Sequence, residues 1–194
     1  MIKGKLFVFS GPSGVGKSTI RTKIIDESQN IWYSISLTTR IPRADEKNGK
    51  DYYFITKEEF INHINNDSLI EYAEVYNGDF YGTPKDSVLK KLNIGINVIL
   101  EIDVEGALII KEKYPEAILI FIMAPTMEEL ERRLVSRYTD TREKIKERLE
   151  KAEIEITFKN KYDYIVVNHT IDETVDKIKT IIDLEQNKEN LWKN

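Results

Sequence analysis

A glycine-rich segment near the start of the chain has the residue types and the spacing of a phosphate-binding loop. It matches the pattern G-x-x-x-x-G-K-[ST] at every fixed position, and it consists of Gly11, Pro12, Ser13, Gly14, Val15, Gly16, Lys17 and Ser18. Glycines let successive backbone N–H groups turn inward around an anion, and a following helix adds partial positive charge from its N-terminus. Lys17 is then expected to bridge the β- and γ-phosphates, and the Ser18 hydroxyl to bind Mg²⁺. The segment therefore predicts a site for a nucleoside triphosphate.

The arginines are a second group of residues whose placement indicates anion binding. The chain has 29 basic residues, of which only 8 are arginines. They form a pair, Arg40 and Arg43, and a cluster between residues 132 and 148, while Arg21 stands alone. Arg40 and Arg43 flank Pro42, which stiffens the turn between them, so both guanidinium groups can converge on one phosphate. Salt bridging on helix surfaces is the alternative explanation for the cluster.

Two acidic residues end an apolar stretch of the chain. Glu101 and Asp103 follow residues 97–100, which are apolar nearly throughout. Open α/β sheets place ligand-facing residues at the carboxyl ends of their strands, and residues two apart project on the same side of a strand. We interpret Glu101 and Asp103 as an acidic pair that holds Mg²⁺ through water and orients the nucleotide or the arginines.

The segments that must position these residues alternate between strand and helix. Buried strands are predicted at residues 5–10, 97–102, 117–123 and 164–168, and helices at residues 17–28, 104–114, 127–137 and 171–184. A repeated strand–helix order predicts an α/β protein with a central parallel sheet between two layers of helices. With the glycine-rich loop after the first strand, this is the three-layer fold of P-loop NTPases.

Two segments interrupt this alternation. Residues 34–84 are rich in Tyr and Asn, with short alternating stretches around one helix at 57–65, and predict a small mixed-β insertion in the α/β core. Residues 126–158 are charged and helical, with one apolar stripe, and predict a lid over the phosphate site. We therefore expect a single domain over residues 1–194, with its core at about 1–33, 85–125 and 159–194.

Composition excludes several classes of protein. The chain has 194 residues and no cysteine, so it has neither a disulfide framework nor a thiolate nucleophile, and two histidines do not make a His-rich metal centre. A net charge of −4 argues against nucleic-acid binding, and the apolar runs are too short to span a membrane. The first residues lack the pattern of a signal peptide, which favours a cytoplasmic location.

A triphosphate site does not identify the phosphoryl acceptor, which could be water, a protein, a small metabolite or another nucleotide. P-loop motors and GTPases usually need a longer chain for effector or nucleic-acid contacts. A GTPase should also show a guanine-reading Asn-Lys-x-Asp motif late in a strand, and the strand end at Asn168 does not fit it. Chain length and the missing motif favour a kinase of small substrates.

A series of further motifs resembles the guanylate kinase family, from about residue 5 to residue 184. The stretch SISLTTRIPR at 34–43, followed by NGKDYYF at 48–54, is the most specific part of this resemblance. IEYA at 70–73, YGT at 81–83, LEID at 100–103 with Gly106, and RLVSR at 133–137 follow in the same order. The resemblance implies transfer of the ATP γ-phosphoryl group to GMP, directly and in line, with Mg²⁺ as cofactor.

The resemblance also implies roles for individual residues. The phosphate of GMP or its surroundings would be bound by Ser36, Arg40, Arg43, Tyr52 and Tyr81, and guanine would be read by Glu71 with Ser36 and Thr83 as second contacts. Asp103 is counted with the GMP site, and Thr19 and Asn168 with the ATP site. The arginines expected to neutralise the transferring phosphoryl group, together with Lys17, are Arg133, Arg137 and Arg148.

Three positions depart from the family pattern. Glu101 stands where Asp is common, Tyr138 where Gly usually follows the lid arginine, and His169 where Asp is common. The expected partners are ATP and GMP, with dGMP tolerance left open, no nucleic acid, no membrane, and a monomer or homodimer. Two alternatives are a small kinase of the same fold with another acceptor, and a guanylate-kinase-like scaffold module without catalysis. Glu71 and Thr83 argue against the first, and the intact Lys17 and Ser18 argue against the second.

Overall fold

A computed structural model describes residues 3–43, 46–75, 78–136 and 141–191 of the chain. The predicted contributions of Arg137 and Tyr138 therefore lie outside the described residues. None of the helices in the described ranges has the length and apolar character needed to cross a bilayer.

The centre of the molecule is a parallel sheet of five strands. Its strands are β1 (Leu6–Ser10), β2 (Ile31–Tyr33), β7 (Asn97–Glu101), β8 (Ile118–Met123) and β9 (Tyr164–Val167), in the spatial order β2-β7-β1-β8-β9. All four neighbouring pairs are parallel. The carboxyl ends of β1 and β7 lie side by side, with Phe9 opposite Glu101. The glycine-rich loop and the predicted acidic residues therefore start from the same edge of the sheet.

Helices cover both faces of this sheet. They are α1 (Lys17–Asp26), α3 (Lys85–Asn93), α4 (Val104–Lys113), α5 (Met127–Val135), α6 (Arg142–Thr157) and α7 (Ile171–Leu191). One buried apolar cluster includes Ile20 and Ile178, and a second, on other residues of the same strands, includes Val88 and Ile110. The predicted P-loop α/β fold with a central parallel sheet is confirmed. The predicted helix at 57–65 was correct at both ends, and the starts of α1, α4, α5 and α7 were correct, but their predicted ends were one to seven residues off. Strand β2 and helix α3 were not predicted.

A second, mixed sheet is formed by residues of the predicted insertion. It consists of β3 (Leu37–Thr38), β4 (Tyr53–Phe54), β5 (Leu69–Val75) and β6 (Asp79–Pro84), in the order β4-β3-β6-β5, and α2 (Lys57–Asn65) packs on it. Thr56 caps α2 by accepting from the backbone N–H of Glu59, whose side chain accepts in return from the backbone N–H of Thr56. This sheet has its own small core of Leu37, Phe60 and Leu69.

The charged segment after β8 forms α5 and α6. Leu130 and Leu134, four residues apart on α5, are both buried. The apolar stripe of α6 divides between two cores, because Ile145 and Ala152 belong to the first cluster whereas Ile156 packs against the second. Both helices thus pack against the buried core, and charged residues of α6 line the cleft beside the sheet.

We predict that the mixed sheet depends on Phe60. This ring is fully buried and stacks on Phe80 with 5.2 Å between ring centroids. Phe60→Ala is expected to lower the free energy of unfolding by about 3 kcal/mol, because it removes most of a core side chain and leaves a cavity. Ile61→Ala on the same helix is the control, since 47% of Ile61 is exposed and its loss should cost under about 1 kcal/mol. Equal losses in urea unfolding would contradict the assignment of this core.

Candidate active site

One cleft of about 530 Å³ brings together most of the residues that the sequence indicated. Its walls come from the glycine-rich loop, the mixed sheet, the end of β7 and helix α6. The predicted residues that line it are Gly11, Ser13, Lys17, Ser36, Arg40, Arg43, Tyr52, Glu71, Tyr81, Glu101, Asp103 and Arg148. The two predicted anion sites therefore face one another across a common space.

The glycine-rich loop joins β1 to α1 and forms one end of the cleft. Gly16 precedes the helix with φ 94°, a conformation that L side chains rarely adopt, and a Cβ there would lie 2.9 Å from Nδ2 of Asn168. The side chain of Lys17 folds along the loop, where its Nζ donates to the carbonyl oxygens of Gly11 and Pro12. Ser18 and Thr19 are exposed in the first turn of α1. The loop thus holds its cation beside backbone N–H groups at a helix N-terminus, which suits a polyphosphate.

Asn168 supports this loop from behind. It is 2% exposed, its Nδ2 donates to the carbonyl oxygen of Val15 at 2.7 Å, and its Oδ1 accepts from Thr174. The structure therefore places Asn168 beneath the loop and not among the residues lining the cleft. A direct contact between Asn168 and ATP stays a prediction, whereas its contact with the loop is visible in the fold.

The lid arginines differ in where they lie. Arg148 of α6 lines the cleft, and its Nη1 is 3.4 Å from Oγ of Ser13 in the loop. Arg133 of α5 does not line it: its Nε donates to Glu129 at 2.7 Å and its Nη2 to the carbonyl oxygen of Asn168 at 2.9 Å. In this conformation Arg148 alone of the two is placed to meet a phosphate in the cleft.

A network of hydrogen bonds organises the arginine pair. Nε of Arg40 donates to the phenol oxygen of Tyr81 at 2.9 Å, and its Nη2 donates to Oε1 of Glu46 at 2.8 Å. Oε2 of Glu46 accepts from the backbone N–H of Arg43, also at 2.8 Å. Burial alone would raise the pKa of Glu46, but these hydrogen bonds outweigh burial and hold that pKa below its usual value. Glu46 therefore remains ionised and fixes the turn that carries both arginines.

Aromatic contacts complete this anion site. The ring of Tyr52 meets that of Tyr81 edge-on, with 5.7 Å between centroids, and lies 5.6 Å from the guanidinium carbon of Arg40. Burial raises the pKa of Tyr52 to about 12, so its hydroxyl remains a proton donor at neutral pH. Two phenols and a guanidinium group thus cluster in one wall of the cleft, while the side chain of Arg43 is mostly exposed.

Glu71 is a buried carboxylate in the wall formed by the mixed sheet. It is 4% exposed on β5, opposite Thr83 on β6, and its Oε1 accepts from the Thr83 hydroxyl at 2.6 Å. Burial raises the pKa of Glu71 to about 7, although the Thr83 hydrogen bond acts in the opposite direction. A Cβ on Gly106 would lie 3.0 Å from Oε2 of Glu71, so the glycine leaves room for this carboxylate. Ser36 is 5% exposed and lines the same cleft.

The sequence predicted Glu101 and Asp103 to be neighbours on one side of a strand. In the structure they belong to different elements. β7 ends at Glu101, and Asp103 is the N-cap of α4, with its Oδ1 accepting from the backbone N–H of Gly106 at 2.8 Å. The prediction was wrong because the N–H groups of a helix start competed for the Asp103 side chain. Both carboxylates still line the cleft.

Several charged residues in or beside the cleft were missed in the sequence. Glu46 carries a clear signal, since an acidic residue three positions after Arg43 can close the arginine turn. Lys151 and Glu155 lie one and two turns beyond Arg148 on α6, on the same face, with Nζ of Lys151 3.7 Å from Oε1 of Glu155. Arg21 of α1 lies 3.4 Å from Oε2 of Glu101, a long-range contact for which the sequence gives no signal.

Fold and site together define a class: a P-loop α/β protein in which the predicted polyphosphate loop and the predicted second anion site share one cleft. A family model for guanylate kinase matches residues 3–185 of the chain. A guanylate kinase of Clostridium acetobutylicum is 50% identical over 184 residues, which cover 95% of this chain and 87% of that protein. One of Clostridium tetani is 48% identical over 186 residues, which cover 96% and 88%.

Solved structures agree with this likeness. The crystal structure of a guanylate kinase from Anaplasma phagocytophilum is 40% identical and superposes with a TM-score of 0.81, covering 96% of this chain and 88% of that one. The chain therefore belongs to the guanylate kinase family.

We predict that Glu71 lowers the stability of the ligand-free protein at alkaline pH. A folded-state pKa of about 7 against an ordinary value of 4.5 means that the folded protein binds the proton more tightly, so stability falls as pH rises from about 4.5 to about 7. Glu71→Gln is expected to raise the free energy of unfolding at pH ~8 by about 1–3 kcal/mol. The gain should shrink toward pH ~5, where the wild-type carboxyl is mostly protonated.

Urea unfolding at both pH values measures this effect. Glu74→Gln is the matched control, because Glu74 is on the same strand and exposed, and it should change stability little at either pH. A Glu71→Gln protein that is less stable than the wild type at the higher pH would contradict the prediction.

Proposed function

We propose that the chain transfers the γ-phosphoryl group of ATP to GMP, producing ADP and GDP. One observation carries this proposal: the polyphosphate loop and an arginine–tyrosine anion site share a cleft with the buried Glu71 carboxylate. A nucleoside monophosphate has both the phosphate and the base that this second site requires. The guanylate kinases that the chain resembles support the same reaction.

The acceptor base is recognised by Glu71. An ionised carboxylate accepts two parallel hydrogen bonds, and guanine offers two adjacent donors, N1–H and the exocyclic amine. Adenine presents an acceptor at N1, which would leave the 4%-exposed carboxylate buried without a donor. The hydroxyl of Thr83 holds one carboxylate oxygen in place, and Ser36 is a second polar contact for the base. Such a site discriminates on the order of 10⁴-fold between bases.

The acceptor phosphate is bound by Arg40, Arg43, Tyr52 and Tyr81. Arg40 is already oriented by Tyr81 and Glu46, so little side-chain freedom remains to be lost when the phosphate enters. Asp103 lines the cleft between this site and the loop. Its carboxylate is fixed by the backbone of Gly106, so it sets one boundary of the space that the acceptor can occupy.

The transfer step is an in-line displacement between the two sites. An oxygen of the GMP phosphate attacks the γ-phosphorus of ATP, the bond to the β,γ-bridging oxygen breaks, and ADP leaves with that electron pair. The nucleophile is an anion, so no general base is needed, and catalysis comes from positioning and charge neutralisation. Lys17 and Arg148 are the cations nearest the loop, and Arg133 would join them by exchanging its bonds to Glu129 and Asn168. We keep Arg137 in the same role by resemblance.

The residues present suit Mg²⁺ as the cofactor. No group of three or more His, Cys, Asp or Glu side chains in the described ranges could hold a metal ion, whereas Ser18 is exposed at the start of α1 and Glu101 lines the cleft. Mg²⁺ typically takes one or two protein oxygens and completes its shell with phosphate and water. Ser18 would bind it directly and Glu101 through water, and the bound ion would neutralise charge on the phosphate oxygens.

The three parts of the chain divide this work. We assign residues 34–84 to acceptor binding, residues 126–158 to a lid, and the remainder to the core that carries the ATP loop. Gly11 to Thr19 bind the triphosphate, and Asn168 acts mainly by holding the loop. A cytoplasmic location, where ATP and GMP are both present, is part of the proposal.

An assay with ATP and each nucleoside monophosphate tests the function. ADP release is expected with GMP, with dGMP as a further acceptor to be measured, and several orders of magnitude more slowly with AMP. IMP should lie between them, because it keeps N1–H and lacks the exocyclic amine. AMP, UMP or dTMP acting faster than GMP would overturn the assigned acceptor.

Replacement of the loop lysine tests the donor site. Lys17→Ala is expected to lower kcat at least about 100-fold, because a preorganised charge aimed at the transferring group is lost. Lys23→Ala is the matched control on the same helix, since Lys23 pairs with Asp172 of α7 and does not line the cleft. Steady-state rates with GMP measure both variants, and substantial turnover by Lys17→Ala would contradict its role.

The pH dependence of GMP use tests Glu71. Guanine needs the ionised carboxylate, and the free protein has a Glu71 pKa of about 7, so kcat/KM for GMP should fall up to about tenfold per pH unit below that value. The GMP phosphate titrates in the same range, but it does so equally with Glu71→Gln. Glu71→Gln should therefore have a lower kcat/KM for GMP and should lack the part of the pH dependence that comes from ionisation of Glu71. Identical pH profiles for the wild type and Glu71→Gln would exclude Glu71 as the residue that recognises the base.

A further inference from the structure

Arg21 occupies a position that the proposed mechanism does not use. Its Nε lies 3.4 Å from Oε2 of Glu101, and the two side chains are only 13% and 19% exposed. The guanidinium carbon lies 3.9 Å from the ring centroid of Tyr33, within the range of a cation–π contact. Arg21 is thus held between an aromatic face and the carboxylate that lines the cleft at the end of β7.

Three elements meet at this contact. Arg21 is one helical turn after Ser18 on α1, so both side chains project from the same face of the helix. β2 carries Tyr33 and pairs with β7, where Tyr33 lies opposite Ile99, two residues before Glu101. The helix that begins at the phosphate loop therefore supplies both a hydroxyl for Mg²⁺ and a cation for the neighbouring carboxylate.

The geometry favours arginine at this position. A planar guanidinium group lies flat on a ring and still presents N–H groups at its edge, which an ammonium group does not. Arg21 Nε is buried and has no hydrogen-bond partner, although the Glu101 carboxylate is within ion-pair distance. A small rotation of Glu101 would convert the ion pair into a charge-assisted hydrogen bond. Arg21 and Glu101 can therefore still form a shorter hydrogen bond when a nucleotide is bound.

The length of Glu101 fits this partner. An Asp at the same position would hold its carboxylate about 1.5 Å closer to the backbone of β7, by the length of one carbon–carbon bond. Arg21 is at 3.4 Å from the longer side chain, so that retreat would take the carboxylate out of contact. The contact therefore requires both the length of the Glu101 side chain and the arginine on α1.

We propose that Arg21 is a positioning residue that holds the Glu101 carboxylate toward the Mg²⁺–nucleotide site. The inference rests on the proposed function, and it adds a residue that acts only through Glu101. Without Arg21, Glu101 keeps its charge but loses its orientation, and it becomes free to pair with other cations of the cleft. Metal-dependent nucleotide binding then weakens, whereas the phosphate loop itself is untouched.

Calorimetric titration of the full chain with the β,γ-imido analogue of ATP tests the proposal. Affinity is measured in EDTA and in saturating Mg²⁺, and the ratio of the two is the readout. Arg21→Met keeps an apolar stem over Tyr33 and removes the charge, and it is expected to reduce the Mg²⁺ enhancement about tenfold, as for one lost charge-assisted contact. Affinity in EDTA should remain that of the wild type.

A double-variant cycle with Glu101→Gln separates positioning from a structural role. If Arg21 acts through Glu101, either single change reduces the Mg²⁺ enhancement, and the double variant loses little more than one of them. Additive losses would overturn the proposal. Equal weakening in EDTA and in Mg²⁺ would also overturn it, because Arg21 would then merely support α1 and the loop.

Two further variants keep the outcome decisive. Lys23→Met is the control on α1, and it should leave the ratio unchanged, since Lys23 pairs with Asp172 outside the cleft. If Arg21→Met does not fold, as judged by its thermal melt, Arg21→Lys decides by the same ratio. Arg21→Lys keeps the charge without the planar guanidinium group, so it should retain only part of the wild-type Mg²⁺ enhancement. A full wild-type enhancement in Arg21→Lys would overturn the proposal that the guanidinium group orients Glu101.

The proposed function can fail independently. Phosphoryl transfer from ATP to GMP by the wild-type chain is measured without any variant, whereas the Mg²⁺ enhancement is measured without an acceptor. If the wild-type chain does not phosphorylate GMP but Arg21→Met still reduces the Mg²⁺ enhancement, only the assignment of GMP as acceptor is wrong. The proposal for Arg21 then remains.

Discussion

The parallel pairing of β1 with β7 determines where every reacting group can be. Because Phe9 lies opposite Glu101, the loop that follows β1 and the acid that ends β7 emerge at one edge of the sheet. β2 adds Tyr33 on the outer side of β7, and α1 returns across these strands with Arg21. A slip of register would separate the loop from the acid, so the buried strand cores that fix the register also fix the chemistry.

Charge in the cleft is balanced locally, although the whole chain is mildly acidic. A net charge of −4 describes the full surface, whereas several cations in or beside the cleft have an acidic neighbour. Arg40 pairs with Glu46, Arg21 with Glu101, and Lys151 with Glu155. Burial raises the pKa of Glu155, and two nearby lysines counteract that effect. These acids hold the cations in defined positions before a phosphate arrives, which limits the reorganisation needed during transfer.

Features of the fold and site that depend on residues close together in the sequence could be predicted. The loop at 11–18, the buried strands and the arginine turn follow from local spacing, and Gly11, Ser13, Lys17, Arg40 and Arg43 line the cleft as expected. Asp103 was misplaced because helix capping is decided by competition between backbone and side chain. Asn168 was assigned to ATP although it is buried under the loop, which only the packing of β9 reveals. Arg21 was missed because its partner is 80 residues away, and no spacing rule connects the two.

The acidic residues paired with the cleft cations also explain why the arginine turn is organised before the lid rearranges. Glu46 holds the arginine turn through one side-chain and one backbone donor, so Arg40 can direct further N–H groups at a phosphate without losing that support. Arg133 is different, since both of its bonds must be exchanged before it reaches the cleft. Recognition of GMP can therefore precede lid rearrangement. The full set of cations around the γ-phosphoryl group would then be assembled only after this exchange, which limits transfer of that group to water before the acceptor is bound.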